Sequence, residues 1–313
     1  MTHRLAIIIP AYKSTFLPAA LDSIAAQTCQ DFTLYVGDDC SPELIGKIVE
    51  QYRDKIELVY QRFETNLGGK DLVAQWERCI AMSKDEPYIW LFSDDDVMEP
   101  NCVEILLKQV DETKGSYDLY HFDSYRIDEE GNFELLRNPY PAVLSSYDFY
   151  KGKMSGIYDS FVVENVFSRQ IYKQSDGFKN FDLAWGSDIA TWCIFSHENG
   201  ICRIPGALIG WRRSSRNITP DKSKAIAERK LIADCEFLCW AYNFFRNSVD
   251  IWQVNRERFI KIVHNYKKKV GRSCVKIAMN QFFEIHGHLR QRPIISLMIA
   301  LPRKISKYLL ALW

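Results

Sequence analysis

The segment Tyr88-Ile89-Trp90-Leu91-Phe92-Ser93-Asp94-Asp95-Asp96 runs a continuous apolar stretch straight into three carboxylates. Such a branched and aromatic run, bounded by turn formers, has the pattern of a strand buried on both faces, with the carboxylates at its C-terminal end. Leu5 to Ile9 is a second run of the same kind, ended by Pro10. After it, Leu17, Leu21, Ile24 and Ala25 recur at three- and four-residue spacing and predict a helix to about Gln27. Phe32 to Val36 predicts a strand that breaks at Gly37-Asp38-Asp39-Cys40-Ser41-Pro42, a run of turn formers. Leu44 to Tyr52 has helical spacing, Ile56 to Tyr60 reads as a strand, Asn66-Leu67-Gly68-Gly69 as a turn, and Asp71 to Met82 as a helix. Strands alternating with helices predict βαβ units and a mostly parallel sheet. Ligands of such sheets sit at the C-terminal strand ends, so Pro10-Ala11-Tyr12, Asp38-Asp39 and Asp94-Asp95-Asp96 are expected to meet in one crevice.

Farther on, Tyr117 to about Ile127 alternates like a strand, and Gly131-Asn132 offers a hairpin turn. Residues 151–215 are mixed, with an acidic loop at Gly186-Ser187-Asp188 and a basic loop at Trp211-Arg212-Arg213. Beyond Pro220 the pattern becomes helical. With 313 residues, 47% hydrophobic and 13% aromatic, the chain has material for a substantial core, which excludes a disordered or collagen-like protein. Basic and acidic residues balance at 40 each, so net charge gives no reason to expect nucleic acid as a partner. The balance is uneven along the chain. Asp221 to Trp313 holds 18 Lys plus Arg against 7 Asp plus Glu, which predicts an α/β region over residues 1–220 and a basic helical region over 221–313.

Nine scattered cysteines without zinc spacing read as reduced, mostly buried thiols, and the six histidines show no ligand spacing. The apolar run before Pro10 is too short for a signal-peptide core or a membrane span, which predicts a cytoplasmic N-terminal region. Asn217-Ile218-Thr219 matches a glycosylation sequon, a use that this placement sets aside.

Three adjacent carboxylates raise one another's pKa and repel unless positive charge sits among them. Mg2+ or Mn2+ suits all-oxygen ligation and is commonly held by one or two carboxylates plus substrate phosphates, which points to a diphosphate site. In an extended chain Asp94 and Asp96 point one way and Asp95 the other. The triplet equally fits an acidic turn capping the helix that begins near Pro100. Gly69-Lys70 is not a phosphate-binding P-loop, and no G-x-G-x-x-G follows the first strand.

Ile7-Ile8-Ile9-Pro10-Ala11-Tyr12, Val36-Gly37-Asp38-Asp39-Cys40-Ser41, Asn66-Leu67-Gly68 and Phe92-Ser93-Asp94-Asp95-Asp96 resemble, in order, the motifs of family 2 glycosyltransferases of the GT-A fold over roughly residues 4–215. The resemblance implies an inverting, metal-dependent transfer from a nucleoside-diphosphate sugar, a UDP-sugar in the first place, to a hydroxyl of a glycan or lipid-linked saccharide, as in cell-surface polysaccharide synthesis. It implies that Pro10, Ala11 and Tyr12 line the nucleobase pocket, that Asp39 accepts from a uracil-type N–H, and that Asp94 contacts the ribose or sugar. Asp95 would coordinate Mn2+ or Mg2+, with Asp96 closing the D-x-D pattern. Asp188 resembles the catalytic base, with Glu164 and Asp182 in reserve, and Arg212 would close over the diphosphate. The chain departs from the family at Lys13, at Cys40 where a glycine is common, and at Ala74-Gln75-Trp76 where an Ala-Arg-Asn run is common; Lys70 is the candidate replacement cation. A catalytically inactive nucleotide-sugar-binding module and a nucleotidyltransferase are the alternatives.

In the tail, Lys267-Lys268-Lys269 and the segment Pro293 to Trp313 combine basic and apolar residues, as interfacial helices do. They predict either peripheral contact with an anionic membrane at its inner face or a helix packed on the catalytic region.

Overall fold

The computed structural model describes residues 3–214, 223–288 and 291–301. The chain opens with β1 (Leu5–Ala11), α1 (Leu17–Ala25), β2 (Phe32–Asp38), α2 (Ile45–Glu50), β3 (Leu58–Arg62), α3 (Leu72–Ile80), β4 (Tyr88–Leu91), β5 (Val97–Met98) and α4 (Cys102–Glu112). It continues through β6 (Leu119–Ile127), β7 (Phe133–Leu136), β8 (Val143–Leu144), α5 (Ser146–Ser155), β9 (Asn165–Ser168), α6 (Arg169–Gln174), α7 (Ser187–Phe195) and β10 (Ile201–Arg212). It closes with α8 (Lys224–Phe244), α9 (Ile251–Tyr266), α10 (Arg272–His286) and α11 (Arg292–Ala300).

The sheet runs β3-β2-β1-β4-β9-β6-β10-β5, with β7 on β6 and β8 on β10. β3, β2, β1 and β4 are mutually parallel, and so are β6 and β10, whereas β9 runs antiparallel to β4 and β6. The expected mostly parallel α/β sheet is what the chain forms. Its centre is dry: Leu5 to Ile9 and Ile89 to Leu91 are fully buried, and Trp90 stacks on Phe122 at 4.9 Å while its indole N–H donates to Val163 O at 2.8 Å.

Pro10 does not end β1, as expected from sequence, but lies inside it, paired with Gly37 of β2. Its effect falls on the other edge. Residues of a parallel strand bond alternately to either neighbour; Ile8 O accepts from Phe92 N–H at 2.8 Å, and Pro10, next on that side, has no N–H to continue. The β1–β4 pairing stops there, at Ile8 opposite Leu91.

Two compact units are present. One holds the sheet, with residues up to Lys153, Ile157–Lys179 and the run from Thr191 through β10; the other holds Met154–Gly156, Asn180–Ala190 and α8 to α11. In the second, Phe259 stacks on Phe282 at 4.1 Å, and Asn255 Nδ2 donates to Leu238 O and to His286. His286 is a buried packing residue. No helix among the described residues is long and apolar enough to cross a membrane. The segment Trp211-Arg212, expected in a loop, belongs to β10. Pro205-Gly206 does not break that strand, because a register shift between Ile204 and Leu208 absorbs them together with Ala207.

Cys40 occupies the left-handed region at φ 52, which explains why a glycine is common there. Cys40→Gly is expected to leave stability unchanged or raise it by up to about 1 kcal/mol, and Cys40→Val to lower it by about 1–2 kcal/mol, in urea unfolding. A glycine variant much weaker than wild type would show that the thiol, not the backbone, is what the position requires.

Candidate active site

The crevice is built on the triplet. The chain bends at Asp94 and Asp95 instead of staying extended, and the three side chains separate. Asp94 is buried and its Oδ2 accepts from the backbone N–H groups of Tyr12 and Lys13, both at 2.8 Å, so it caps the end of β1 just past Pro10. Asp96, also buried, accepts at Oδ1 from Arg212 N–H at 2.7 Å and at Oδ2 from Ser93 Oγ–H at 2.7 Å, which ties β10 to the triplet. Burial, followed by the neighbouring charge of Asp95, pushes the Asp94 carboxyl up to about 6 and raises Asp96 well above the usual carboxylate range. Asp95 is half-exposed, and its carboxylate makes no hydrogen bond or ion pair among the described residues.

The second motif forms the adjoining wall. Asp38 accepts from Ser41 N–H at 2.8 Å, Tyr60 Oη–H at 2.7 Å and Arg62 at 2.9 Å. Asp39, 3% exposed, accepts from Leu67 N–H at 2.7 Å, Gly68 N–H at 2.8 Å, Asn66 Nδ2 at 2.9 Å and the Arg78 guanidinium. Four donors fill the acceptor capacity of one carboxylate, so Asp39 holds the Asn66–Gly68 turn in place. Gly68 is required by this approach, since a Cβ there would lie 2.8 Å from Asp39 Oδ2. Arg78, which the sequence reading did not single out, lies on α3 and stacks on Phe63 at 3.9 Å. It is the cation that pairs with Asp39, as Arg62 pairs with Asp38, whereas Lys70 is exposed in the turn. Tyr12 stands 42% exposed at the end of β1, with its carbonyl held by Ser41 Oγ–H at 2.6 Å, and presents its ring to solvent. Pro10 and Ala11 lie beneath it in the strand.

Arg212 is 4% exposed. Its guanidinium donates to Asp95 O at 2.8 Å and to Asp128 O and Glu129 O at 3.0 Å, and lies over Phe16 at 4.6 Å. It braces the triplet and the β6–β7 turn from below, so its arrangement is a strut and not an open arm.

The Glycosyl transferase family 2 model matches residues 6–175. The chain belongs to this family. Poly(ribitol-phosphate) beta-N-acetylglucosaminyltransferase TarS of Staphylococcus aureus is 34% identical over 96 residues, 30% of this chain and 16% of that protein. An uncharacterized glycosyltransferase of Haemophilus influenzae is 30% identical over 137 residues, 43% of this chain and 44% of that one. The matched stretches span less than half the length of these relatives. The crystal structure of S. aureus TarS 1-349 in complex with UDP-GlcNAc aligns over 94% of this chain and 86% of its own at 16% identity, TM-score 0.58. That of GalNAc-T7 with UDP, GalNAc and Mn2+ aligns over 74% of this chain and 47% of its own at 10% identity, TM-score 0.52. At these identities the likeness concerns the fold, which is the GT-A arrangement that the ordered motifs imply.

In the family frame, the candidates for a base separate by their surroundings. Asp182 is paired with Arg229 at 2.6 Å and 2.8 Å, which lowers its pKa. Glu164 is 2% exposed and accepts from Ser124 Oγ–H and from Phe161 N–H at 2.8 Å; burial pushes it up to about 7. Asp188 is half-buried in the first turn of α7, not in a loop, within the second compact unit. The segment before it is strained: Leu183 (φ 60), Ala184 (φ 54) and Gly186 (φ 89) all take left-handed conformations. Such conformations persist where the surroundings over-determine them, and they concentrate at functional sites.

No group of three or more His, Cys, Asp or Glu among the described residues forms a protein cage for a metal. A D-x-D site needs none, because the diphosphate completes the shell. The triplet fits a hard divalent cation: oxygen donors only, one carboxylate without a hydrogen bond or ion pair among the described residues, and two buried neighbours destabilised by its charge.

A carboxyl whose folded-state pKa lies above its unfolded value contributes stability while protonated and loses it as pH rises through the folded value. Without divalent metal, Asp94→Asn is therefore expected to gain about 2 kcal/mol relative to wild type between pH 4 and pH 8 in chemical denaturation. A pH-independent difference would show that Asp94 ionises normally.

Proposed function

We propose that the chain is an inverting, metal-dependent glycosyltransferase that moves a sugar from a UDP-sugar to a hydroxyl of a glycan or lipid-linked saccharide. The observation that carries the reading is the juxtaposition of the half-exposed Asp95 with two buried, electrostatically stressed carboxylates beside the exposed Tyr12 ring, in a chain of family 2. Relatives on the same fold were solved with UDP-GlcNAc and with UDP and Mn2+, which supports the donor class and the cation.

Tyr12 offers its ring face to the base, with Pro10 and Ala11 as the floor and the Asp39-braced turn as the side wall. The second oxygen of Asp94, Oδ1, makes no hydrogen bond among the described residues and accepts from a ribose or sugar hydroxyl. Asp95, with Asp96 beside it, would hold Mg2+ or Mn2+, and a bound ion supplies charge neutralisation to the departing diphosphate. Arg212 keeps Asp95 and Asp96 in position through Asp95 O and its own N–H. We assign Asp188 the removal of the acceptor proton as that oxygen attacks the anomeric carbon from the face opposite the leaving group, a general-base step.

UDP with Mn2+ is expected to stabilise wild type against heat, by about 2.7 kcal/mol at a hundredfold excess over Kd. Asp95→Ala is expected to lose the metal-dependent part of the shift. Equal shifts in the two proteins would contradict the cation assignment. Asp188→Asn should keep the shift while transfer falls by about a hundredfold to ten-thousandfold. Unchanged transfer in that variant rules Asp188 out as the base, and tight UDP binding by wild type with no transfer from any UDP-sugar would make the chain a binding module.

A further inference from the structure

The last described helix presents an unusual surface. Of the residues of α11, Ile295, Met298 and Ile299 are buried, while those exposed are Pro293, Ile294, Leu297 and Ala300, an entirely apolar stripe at helical spacing. Ile294 and Leu297 are 44% and 59% exposed. Polar residues normally occupy the outer face of a surface helix. Lys267, at the C-terminal end of α9, donates from Nζ to Ile299 O at 2.5 Å and to Leu301 O at 3.1 Å, which fixes the end of α11 beside the exposed Lys268 and Lys269. Residues 261–313 hold 11 Lys plus Arg and a single acidic residue, Glu284. The sequence after α11, Pro302-Arg303-Lys304-Ile305-Ser306-Lys307-Tyr308-Leu309-Leu310-Ala311-Leu312-Trp313, repeats the combination of basic and apolar residues; its placement lies outside the described residues.

We propose that α11, with Lys268 and Lys269, is a docking surface for an anionic lipid bilayer, the stripe entering the headgroup boundary and the lysines meeting lipid phosphates. Both halves of the surface are needed to choose this partner. A basic patch alone suits any polyanion, and a soluble acidic polymer has no use for Ile294 and Leu297. An apolar stripe alone suits a second copy of the chain, but two copies would oppose lysines to lysines. Only an anionic interface takes both at once, by apolar burial and by electrostatic attraction that salt weakens.

The test is co-sedimentation of the full chain with vesicles of phosphatidylcholine alone and of phosphatidylcholine mixed with phosphatidylglycerol. Binding is expected only to the mixed vesicles and to weaken with added salt. Lys268→Ala with Lys269→Ala should lower the affinity by about thirtyfold. Ile294→Ser with Leu297→Ser should lower it by at least about tenfold, with melting temperature and UDP binding unchanged. The stripe is exposed, so the folded state tolerates serine there, and the lysine pair gives an independent arm. Equal binding to both vesicle types overturns the proposal. So does wild-type affinity in the serine pair, which marks a site for soluble polyanions, and so does a dimer that the serine pair dissociates.

Discussion

Like charge at the end of a buried strand is the condition to which the sheet's crevice is fitted. Two carboxylates about 4 Å apart at an effective dielectric of about 20 repel by about 4 kcal/mol. Hydrogen bonds to a charged group return about 1.5–3 kcal/mol each. The structure uses that return twice: Asp94 takes two N–H donors from the end of β1, and Asp96 takes one from β10 and one from Ser93. The repulsion is thereby turned into two ties that draw separate strands toward the triplet. Asp95 has no such compensation among the described residues, which leaves it as the oxygen with most to gain from a cation.

The ties work because the ladder between β1 and β4 fails at one defined place. Had Pro10 been able to donate, β1 and β4 would stay zipped past Ile8, and Tyr12 and Lys13 N–H would have less reason to turn toward a side chain. Beyond the point where the missing donor ends the ladder, the Asp94 carboxylate takes up the Tyr12 and Lys13 N–H groups. Arg212 completes the support by reaching beneath the triplet to the β6–β7 turn, which couples a distant hairpin to the same three residues.

The parallel half of the sheet was legible because β1, β2 and β4 are buried on both faces and read as unbroken apolar runs, with the acidic turns at their ends. Legibility declined where one residue does two jobs. Residues 151–215 read as mixed and Trp211-Arg212 as a loop, yet Gly206 at φ 91 and the register shift let β10 continue to Arg212. Arg78 was hidden because the family pattern directs attention to the positions after the glycine turn. From Asp71, the N-cap of α3, positions 75 and 78 follow on one helical face, and Gln75 and Arg78 bond to one another there; that polar stripe was the available signal. The depth of Arg212 had none, since an Arg pair at a strand end reads as solvated surface until the carbonyls beneath it are known.

The three candidates for a base differ in burial and in ionisation. An effective base for an alcohol must be ionised near neutral pH and reachable by the acceptor. Asp182 is ionised, but its two oxygens are engaged by Arg229, and an ion-paired carboxylate gives up basicity. Glu164 has the higher proton affinity, yet it is sealed from solvent and braces Phe161 N–H and Ser124, so an acceptor hydroxyl has no access to it. Asp188 is half-buried in the first turn of a helix, where the helix dipole favours a negative charge. The strained backbone leading to it is pinned by Phe181 N–H on Ser187 Oγ at 2.9 Å and by the Asp182–Arg229 pair. The Asp182–Arg229 pair thereby holds the segment that carries Asp188, the residue proposed as the base.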